Sequence, residues 1–463
     1  MRTKGKWTLA LAALVCAVGC TCFRGTSLET VRWQAEIDRV AAAGGGIVRV
    51  PEGRHVVGGL FLKSNVSLFL EKGCVLEGSS DISDYTDIQF RYAEVREPWQ
   101  AIVAAIGQTN VSVVGEGEIF GNGKAFPFGS RLGRARGMIF HRCKDVRVEG
   151  VFLRDLASWS MYFKESDGVI VRNMKVDSHA NANNDGIDID SRNVLVENCE
   201  FDADDDGVVL KSDDPDFVVE NVEIRNCMVR STCSAFKLGT ASHGGFRNVH
   251  IHDCASEASP REWVDPATGH GVISKYRVEC WPGSDYTPSL LSGIAIECVD
   301  GGCAEDITIR NVKVARAATP IFIRGGARRN RKFGGTDIEL GIPFGRSLVL
   351  KNVLIENYTC RATSFTASSI TGVADIRPTN ITLRNVDITV PGAGEAGKVE
   401  IGKRVPEKAD AYPESNMFDS RMLPAYGFYV RHADNVSFEN VRVKALGKEF
   451  RPEIVSEDVT WRK

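Results

Sequence analysis

"NVLVENCEFDADDDGVVLKSDDPDFVVENVEIRNCMV", residues 193–229, says one thing twice. The phrase from Asn193 to Cys199 is answered twenty-eight residues later by the phrase from Asn221 to Cys227. In each copy apolar and polar residues alternate with period two, an asparagine interrupts, and a second short apolar run follows. That is a strand, a corner and another strand. The phrase returns as NVSLFLEKG from Asn65, NVSVVGEG from Asn110, DVRVEGVFL from Asp145 and NVHIHDC from Asn248. Later copies are ITIRNVKV from Ile307, LVLKNVLI from Leu348, ITLRNVDI from Ile381 and VSFENVRV from Val436. Between Gly168 and Asn248 the steps run from 23 to 28 residues. A unit of that size cannot bury its apolar face alone and must stack on its neighbours. The pattern therefore predicts an all-β chain, a single-stranded right-handed parallel β-helix in which each coil lies on the last. The leucine spacing of leucine-rich repeats and the signatures of propeller blades are absent.

The 463 residues are expected to form one elongated solenoid over 28–463, opened by a cap helix from Leu28 to Ala43. Steps of 40 residues or more mark coils with long loops, and inserts near 85–105, 255–290 and 325–345 are expected to gather around one face. A net charge of -3 gives no ground for a nucleic-acid partner. Ahead of the solenoid, Arg2, Lys4 and Lys6 precede an apolar run from Leu9 to Val18 that is too short to span a bilayer as an ordinary helix. The run ends Ala17-Val18-Gly19-Cys20, so residues 1–20 read as a signal peptide of lipoprotein type with Cys20 as the lipidated residue. The expected location is outside the cytoplasm, in the periplasm or at the outer membrane or cell surface of a bacterium, with the lipid on Cys20 as the sole membrane contact. A monomer is expected. Cys199 and Cys227 occupy matching places in the repeat and read as buried stacking residues rather than a bridge.

Inside the repeat the aspartates crowd. Residues 183–214 hold nine of them. Asp185 precedes Asp205 by twenty residues and Asp206 by twenty-one, close to one coil, so the three carboxylates fall on neighbouring rungs about 4.8 Å apart. Like charges held so close push at least one pKa upward, which sets a protonated acid beside ionised bases. Cleavage of a glycosidic bond needs that pairing. Asp188 alternates with Ile187 and Ile189 and is expected beside the site. Asp190, Asp213, Asp214 and Asp216 read as loop or solvated positions. Calcium is the competing use of so many oxygen ligands, but the spacing is not that of an EF-hand and Lys211 lies among them.

These motifs resemble those of glycoside hydrolase family 28, the polygalacturonase-like, pectin-degrading group. The family's Asn-Thr-Asp is matched by Asn183-Asn184-Asp185 and its Gly-Asp-Asp by Asp204-Asp205-Asp206. The resemblance runs from "GGGIVRVPEG" to "LPAYGFYVRHADNVSFENVRV" and implies the pectin-lyase-like solenoid and an inverting hydrolase that needs no cofactor. It assigns Asp205 as the general acid, with Asp185 and Asp206 orienting and deprotonating the attacking water. Two family motifs are missing. Cys233-Ser234-Ala235 stands where a Gly-His-Gly should fall, and Ala295-Ile296-Glu297 replaces Arg-Ile-Lys. Candidate substrate contacts are therefore Lys237, Arg324, Lys211, Asp188, Glu297 and Arg431, with Arg328, Arg329, His432 and His179 as further cleft cations. Tyr426, Phe428 and Trp159 are either sugar-stacking surface or core. The implied substrate is a pectic or related oligosaccharide containing galacturonate or rhamnogalacturonan, attacked from a chain end. A non-catalytic carbohydrate-binding solenoid and a calcium-dependent lyase are the alternatives.

Overall fold

Period-two alternation puts one apolar set on the inner side of every strand, and stacked coils are stable when those sets coincide. They coincide here. Val48 pairs with Leu68, Leu68 with Val113 and Val113 with Val148. The register then passes through Val171, Val196, Ile224, Ile251, Ile309 and Ile355 to Leu383. Every member of this column is at most 1% exposed, and each contributes about 1.5–3 kcal/mol by leaving water. From Val148 to Ile251 the steps are 23, 25, 28 and 27 residues, the period carried by the sequence.

The computed structural model describes residues 28–93, 97–130, 132–261, 289–328, 347, 349–418 and 422–462. Among them, twenty-seven strands join in one continuous sheet whose ladders are parallel, the right-handed parallel β-helix predicted above. The helix Leu28–Ala42 closes the N-terminal end, burying Trp33, Ile37 and Val40 on one face against the first coil. The leader, Cys20 and most of the expected inserts at 255–290 and 325–345 lie outside the described residues.

Asparagine marks the corners for two physical reasons. A sharp corner needs positive φ, which Asn tolerates better than most L-residues. Asn193, Asn221 and Asn248 have φ of 55°, 57° and 52°. Their side chains then bond from coil to coil, Asn221 Nδ2 donating to Asn193 Oδ1 at 2.9 Å and Asn248 Nδ2 to Asn221 Oδ1 at 2.8 Å. A second ladder runs from Asp253 through Asn311, Asn357 and Asn385 to Asn440, with spacings of 2.8–3.0 Å. Cys199, Cys227 and Cys254 stack behind the corners, buried and unbridged, as the repeat implied.

One outward row of this scaffold frames the cleft. Register aligns Ala104, Ile139, Tyr162, Asp188, Val209, Lys237, Ala295, Phe322, Ser369 and Tyr429. Both ends of the row are roofed. Ile88, Phe90, Trp99 and Trp159 pack over Ala104, Ile139 and Tyr162. At the other end Val405, Met417, Phe418 and Leu423 pack over Ala295, Phe322 and Tyr429. The three rungs between the roofs carry Asp188, Val209 and Lys237.

Candidate active site

The acids gather in that gap because two Asp-Gly steps are stacked one coil apart. Ile187 pairs with Val208, which aligns Asp185 with Asp206. Gly186 N donates to Asp206 O at 2.9 Å, and Gly207 N donates to Ser234 O at 2.8 Å. A side chain on Gly186 would put its Cβ 2.4 Å from Gly207 O, so the coils approach this closely only with glycine there. Asp205 sits at the turn before Asp206 and is half-buried, whereas Asp185 and Asp206 are each 3% exposed.

Each aspartate has a different set of neighbours. Asn183 Nδ2 donates to Asp205 Oδ2 at 3.2 Å, and the Asp206 amide donates to Asp205 Oδ1 at 2.9 Å. Asp206 accepts from Ser234 N at 3.1 Å and from Lys237 Nζ at 3.0 Å. Asp185 Oδ2 lies 3.9 Å from Lys211 Nζ, which is also 3.6 Å from Asp188 and 4.7 Å from the centre of the Trp159 ring. Asp185 Oδ1 has no hydrogen-bond partner among the described residues. Arg134 supports the rim, reaching Asn183 Oδ1 at 3.2 Å as well as the Ala182 carbonyl.

These neighbours pull the carboxyls apart. Burial and the adjacent Asp206 push Asp205 above the usual carboxylate range. Burial, then Asp188 and Asp205, push Asp185 well above it. Burial acts on Asp206 too, but Lys237 and Lys211 outweigh it and hold that group below its ordinary value. The cleft thus sets proton holders beside one ionised carboxylate.

Beyond Lys237 stand Glu297, which the sequence singled out, and Glu414 with Tyr412, which sequence reasoning missed. Glu414, half-buried in the segment 391–427, shares the field of Lys237, Asp206 and Asp205; burial, opposed by Lys237 and helped by the two aspartates, brings it to about 7. Glu297, 1% exposed, accepts from Thr240 Oγ1 at 3.0 Å, and Thr240 also meets the Tyr412 hydroxyl at 3.1 Å. Burial raises Glu297 to about 8, with Lys237 opposing and Glu414 adding to it. Glu414 and Tyr412 sit in an insertion without period, so no repeat signal points to them.

Several expected cleft residues stand elsewhere. Arg324 shares a row with Glu297, Thr371 and Arg431. Its guanidinium donates to Gly372 O at 3.3 Å, Glu407 O at 2.8 Å and Lys408 O at 3.2 Å. Arg431 donates to Val405 O at 2.5 Å and Pro406 O at 3.2 Å. Both therefore tie down the segment that roofs the cleft. Arg328 is paired with Asp300 at 2.8 Å, His432 with Asp458 at 2.7 Å and His179 with Asp202 at 2.8 Å. Arg329 lies outside the described residues. Phe428 is fully buried against Phe438, and Tyr426 donates to Glu453 at 3.1 Å, which makes both packing residues.

The reading of Asp190 and Asp213 as solvated is corrected. Both are fully buried and flank Lys164 Nζ at 3.0 and 2.9 Å, with Tyr162 donating to Asp213 at 3.0 Å. Asp214 is 5% exposed, and Asp216 is the one of the four at the surface. Among the described residues, two groups have the donors for a metal. Asp205, Asp206 and Cys233 lie within 4.8 Å of one another, and so do Asp177, His179 and Asp202. A side-chain cation already stands at each, Lys237 on Asp206 and Arg261 on Asp177.

Comparison with known proteins points to one family of hydrolases. Residues 48–258 match the family model for glycosyl hydrolases family 28. A probable polygalacturonase of Vitis vinifera is 25% identical over 253 residues, 50% of this chain and 52% of that protein. An exo-poly-alpha-D-galacturonosidase of Dickeya chrysanthemi is 28% identical over 239 residues, 40% of this chain and 39% of that protein. The chain thus spans about half or less of the length of these relatives. The crystal structure of an exopolygalacturonase from Thermotoga maritima superposes with a TM-score of 0.63 at 18% identity, over 90% of this chain and 88% of that one. A family 28 exopolygalacturonase from Yersinia enterocolitica gives 0.65 at 17% identity, over 95% and 76%. At these identities the two structures speak for the fold alone.

Proposed function

From the premise that this chain belongs to glycosyl hydrolase family 28, we propose that it is an inverting hydrolase of pectin-derived oligosaccharides containing galacturonate or rhamnogalacturonan, acting from a chain end. The observation that carries this reading is the split among three crowded carboxyls. Asp206 is held ionised by Lys237, while Asp205 and Asp185 are pushed toward the protonated form.

In this reading Asp205 gives its proton to the glycosidic oxygen as the bond from that oxygen to the anomeric carbon breaks. Water attacks the opposite face of that carbon, and its proton passes to the Asp206 carboxylate. The product is a free sugar of inverted configuration, and proton return from Asp206 to Asp205 through solvent resets the pair. Asp185, the more strongly protonated partner, orients the water, with Lys211 and Asp188 fixing its position. The two apolar roofs favour short substrates or chain ends, since three rungs between them measure roughly 14 Å at the usual strand spacing.

Product release from a panel of pectic oligosaccharides, with Asp205→Asn beside the wild type, tests the proposal. Release of a single sugar that the substitution abolishes supports it. Binding of the same sugars without turnover in either protein would make the chain a carbohydrate-binding solenoid instead.

A further inference from the structure

The turn one coil beyond Asp205 and Asp206 grips them from behind. Ser231 pairs with Ala203 in the register, and the residues after it reach back one by one. Ser231 Oγ donates to the Asp205 carbonyl and Thr232 Oγ1 to the Asp204 carbonyl. Ser234 N donates to Asp206 Oδ1 at 3.1 Å. Between them, the Cys233 sulfur lies within 4.8 Å of a carboxyl oxygen of Asp205 and of one of Asp206. All four residues of the turn are at most 2% exposed, and Cys233 is backed by Leu291 and Ala318. Six other thiols serve differently. Cys143, Cys199, Cys227, Cys254, Cys298 and Cys303 donate to main-chain carbonyls, the ordinary use of a cysteine packed inside a coil. Cys233 meets two carboxyls instead. Burial and both aspartates push its thiol up, so it keeps its proton and stays a donor while the carboxyls titrate.

We propose that Cys233 is a positioning residue for the hydrolytic pair, a neutral donor whose S–H bonds to the Asp205 and Asp206 carboxyls and fixes their spacing. The inference rests on the hydrolase reading above. A cation in this place would favour the ionised form of Asp205 and strip the acid of its proton. A thiol orders the carboxyl oxygens and draws their proton affinity down only slightly. Its hydrogen bond lowers both aspartates, yet on each it ranks behind burial and the neighbouring charges. Ser231 and Thr232 hold the backbone of the same turn, so the thiol has only the side chains left to fix.

The test compares wild type with Cys233→Ala and Cys233→Ser on the pectic oligosaccharide panel, below the thermal midpoint of each protein. Cys233→Ala should lower kcat about tenfold, the rate worth of one modest hydrogen bond, with KM unchanged. Both limbs of its pH profile should move to higher pH, since each carboxyl loses a donor that held it down. Cys233→Ser keeps a donor at the same place and should restore kcat and both limbs. A reading without substrate runs beside these. The infrared difference spectrum of wild type minus Cys233→Ala isolates the Cys233 S–H stretch, expected below the frequency of a free thiol and shifted again in Asp205→Asn. Limbs unmoved by alanine, serine no better than alanine, or a free-thiol S–H band overturns the inference and leaves the hydrolase reading standing. A bonded S–H band with no cleavage of any pectic fragment by wild type overturns the hydrolase reading, and with it the role given to the contact.

Discussion

At the scale of the residue, Asp205 and Asp206 are neighbours in sequence with opposite proton affinities, and Lys237 makes the difference. Asp205→Asn is expected to lower kcat by about 10²–10⁴, the usual worth of a general acid, without lowering the thermal midpoint, because the change relieves crowding. The pH profile should be bell-shaped. Its acid limb follows Asp206, held below the ordinary carboxylate range, and its basic limb follows Asp205, held above it. Lys237→Gln removes the charge that keeps Asp206 ionised and should move the acid limb to higher pH; an unmoved limb would assign the base elsewhere. The stacking of Asp185 and Asp206 on neighbouring rungs, with Asp205 beside them, was legible in the sequence because a one-coil period fixes which residues stack. Lys164 was not, since alternation says which way a side chain points and nothing about the charge one rung over. For the same reason Asp190 and Asp213 read as solvated, although each contacts Lys164.

At the scale of the element, the corner ladder is a structural unit with a measurable worth. Asn221 combines positive φ with bonds to Asn193 below and Asn248 above. Asn221→Ala should cost about 1–3 kcal/mol from the two lost hydrogen bonds and the left-handed backbone, read as a fall in urea midpoint at constant slope. Asn248→Gly, which keeps the backbone freedom and loses only the amide, should cost less. The described residues of the segment 391–427 are a different kind of element, with one short helix, Glu395–Lys398, and anchored by Arg324, Arg431 and Arg451, whose guanidinium meets Leu423 O at 3.0 Å. Arg431→Met should release residues 405–408 from the cleft rung. Faster proteolytic cutting there, with a higher KM and unchanged far-ultraviolet dichroism, is the expected outcome. No periodic signal announces such a segment, so Arg324 and Arg431 read as cleft cations when only their strands were considered.

At the scale of the whole molecule, buried acids set how stability depends on pH. Asp190 and Glu414 are raised to about 7 and Glu297 to about 8, each primarily by burial. An acid raised in the fold keeps its proton where the unfolded chain has lost it. Its penalty therefore grows as pH rises from the ordinary carboxylate range toward 7–8 and is complete above that. Glu165 and Glu449 work the other way. Both are buried enough to be pushed up, but hydrogen bonds and cations, His141 and Lys164 on Glu165 and Arg451 on Glu449, bring each down to about 2. Their contribution is present above the ordinary range and lost as pH falls toward 2. Denaturation midpoints should accordingly peak near pH 4–5 and decline by pH 8, and a flat profile would mean the buried acids have water or partners of their own. The two asparagine ladders have a consequence for how such a molecule changes over time. Because the ladders fix the corners of the coils they cross, the chain between two strands is free to lengthen, and closing a loop twice as long costs only about 0.6 kcal/mol. The scaffold behaves like a rack into which interchangeable drawers are fitted. The strands Thr379–Val390 and Phe428–Ala445 are two faces of the rack with a thirty-seven-residue drawer, residues 391–427, between them. Appetite for a different sugar can be acquired by exchanging that drawer, while the aspartates on the earlier rungs stay where they are.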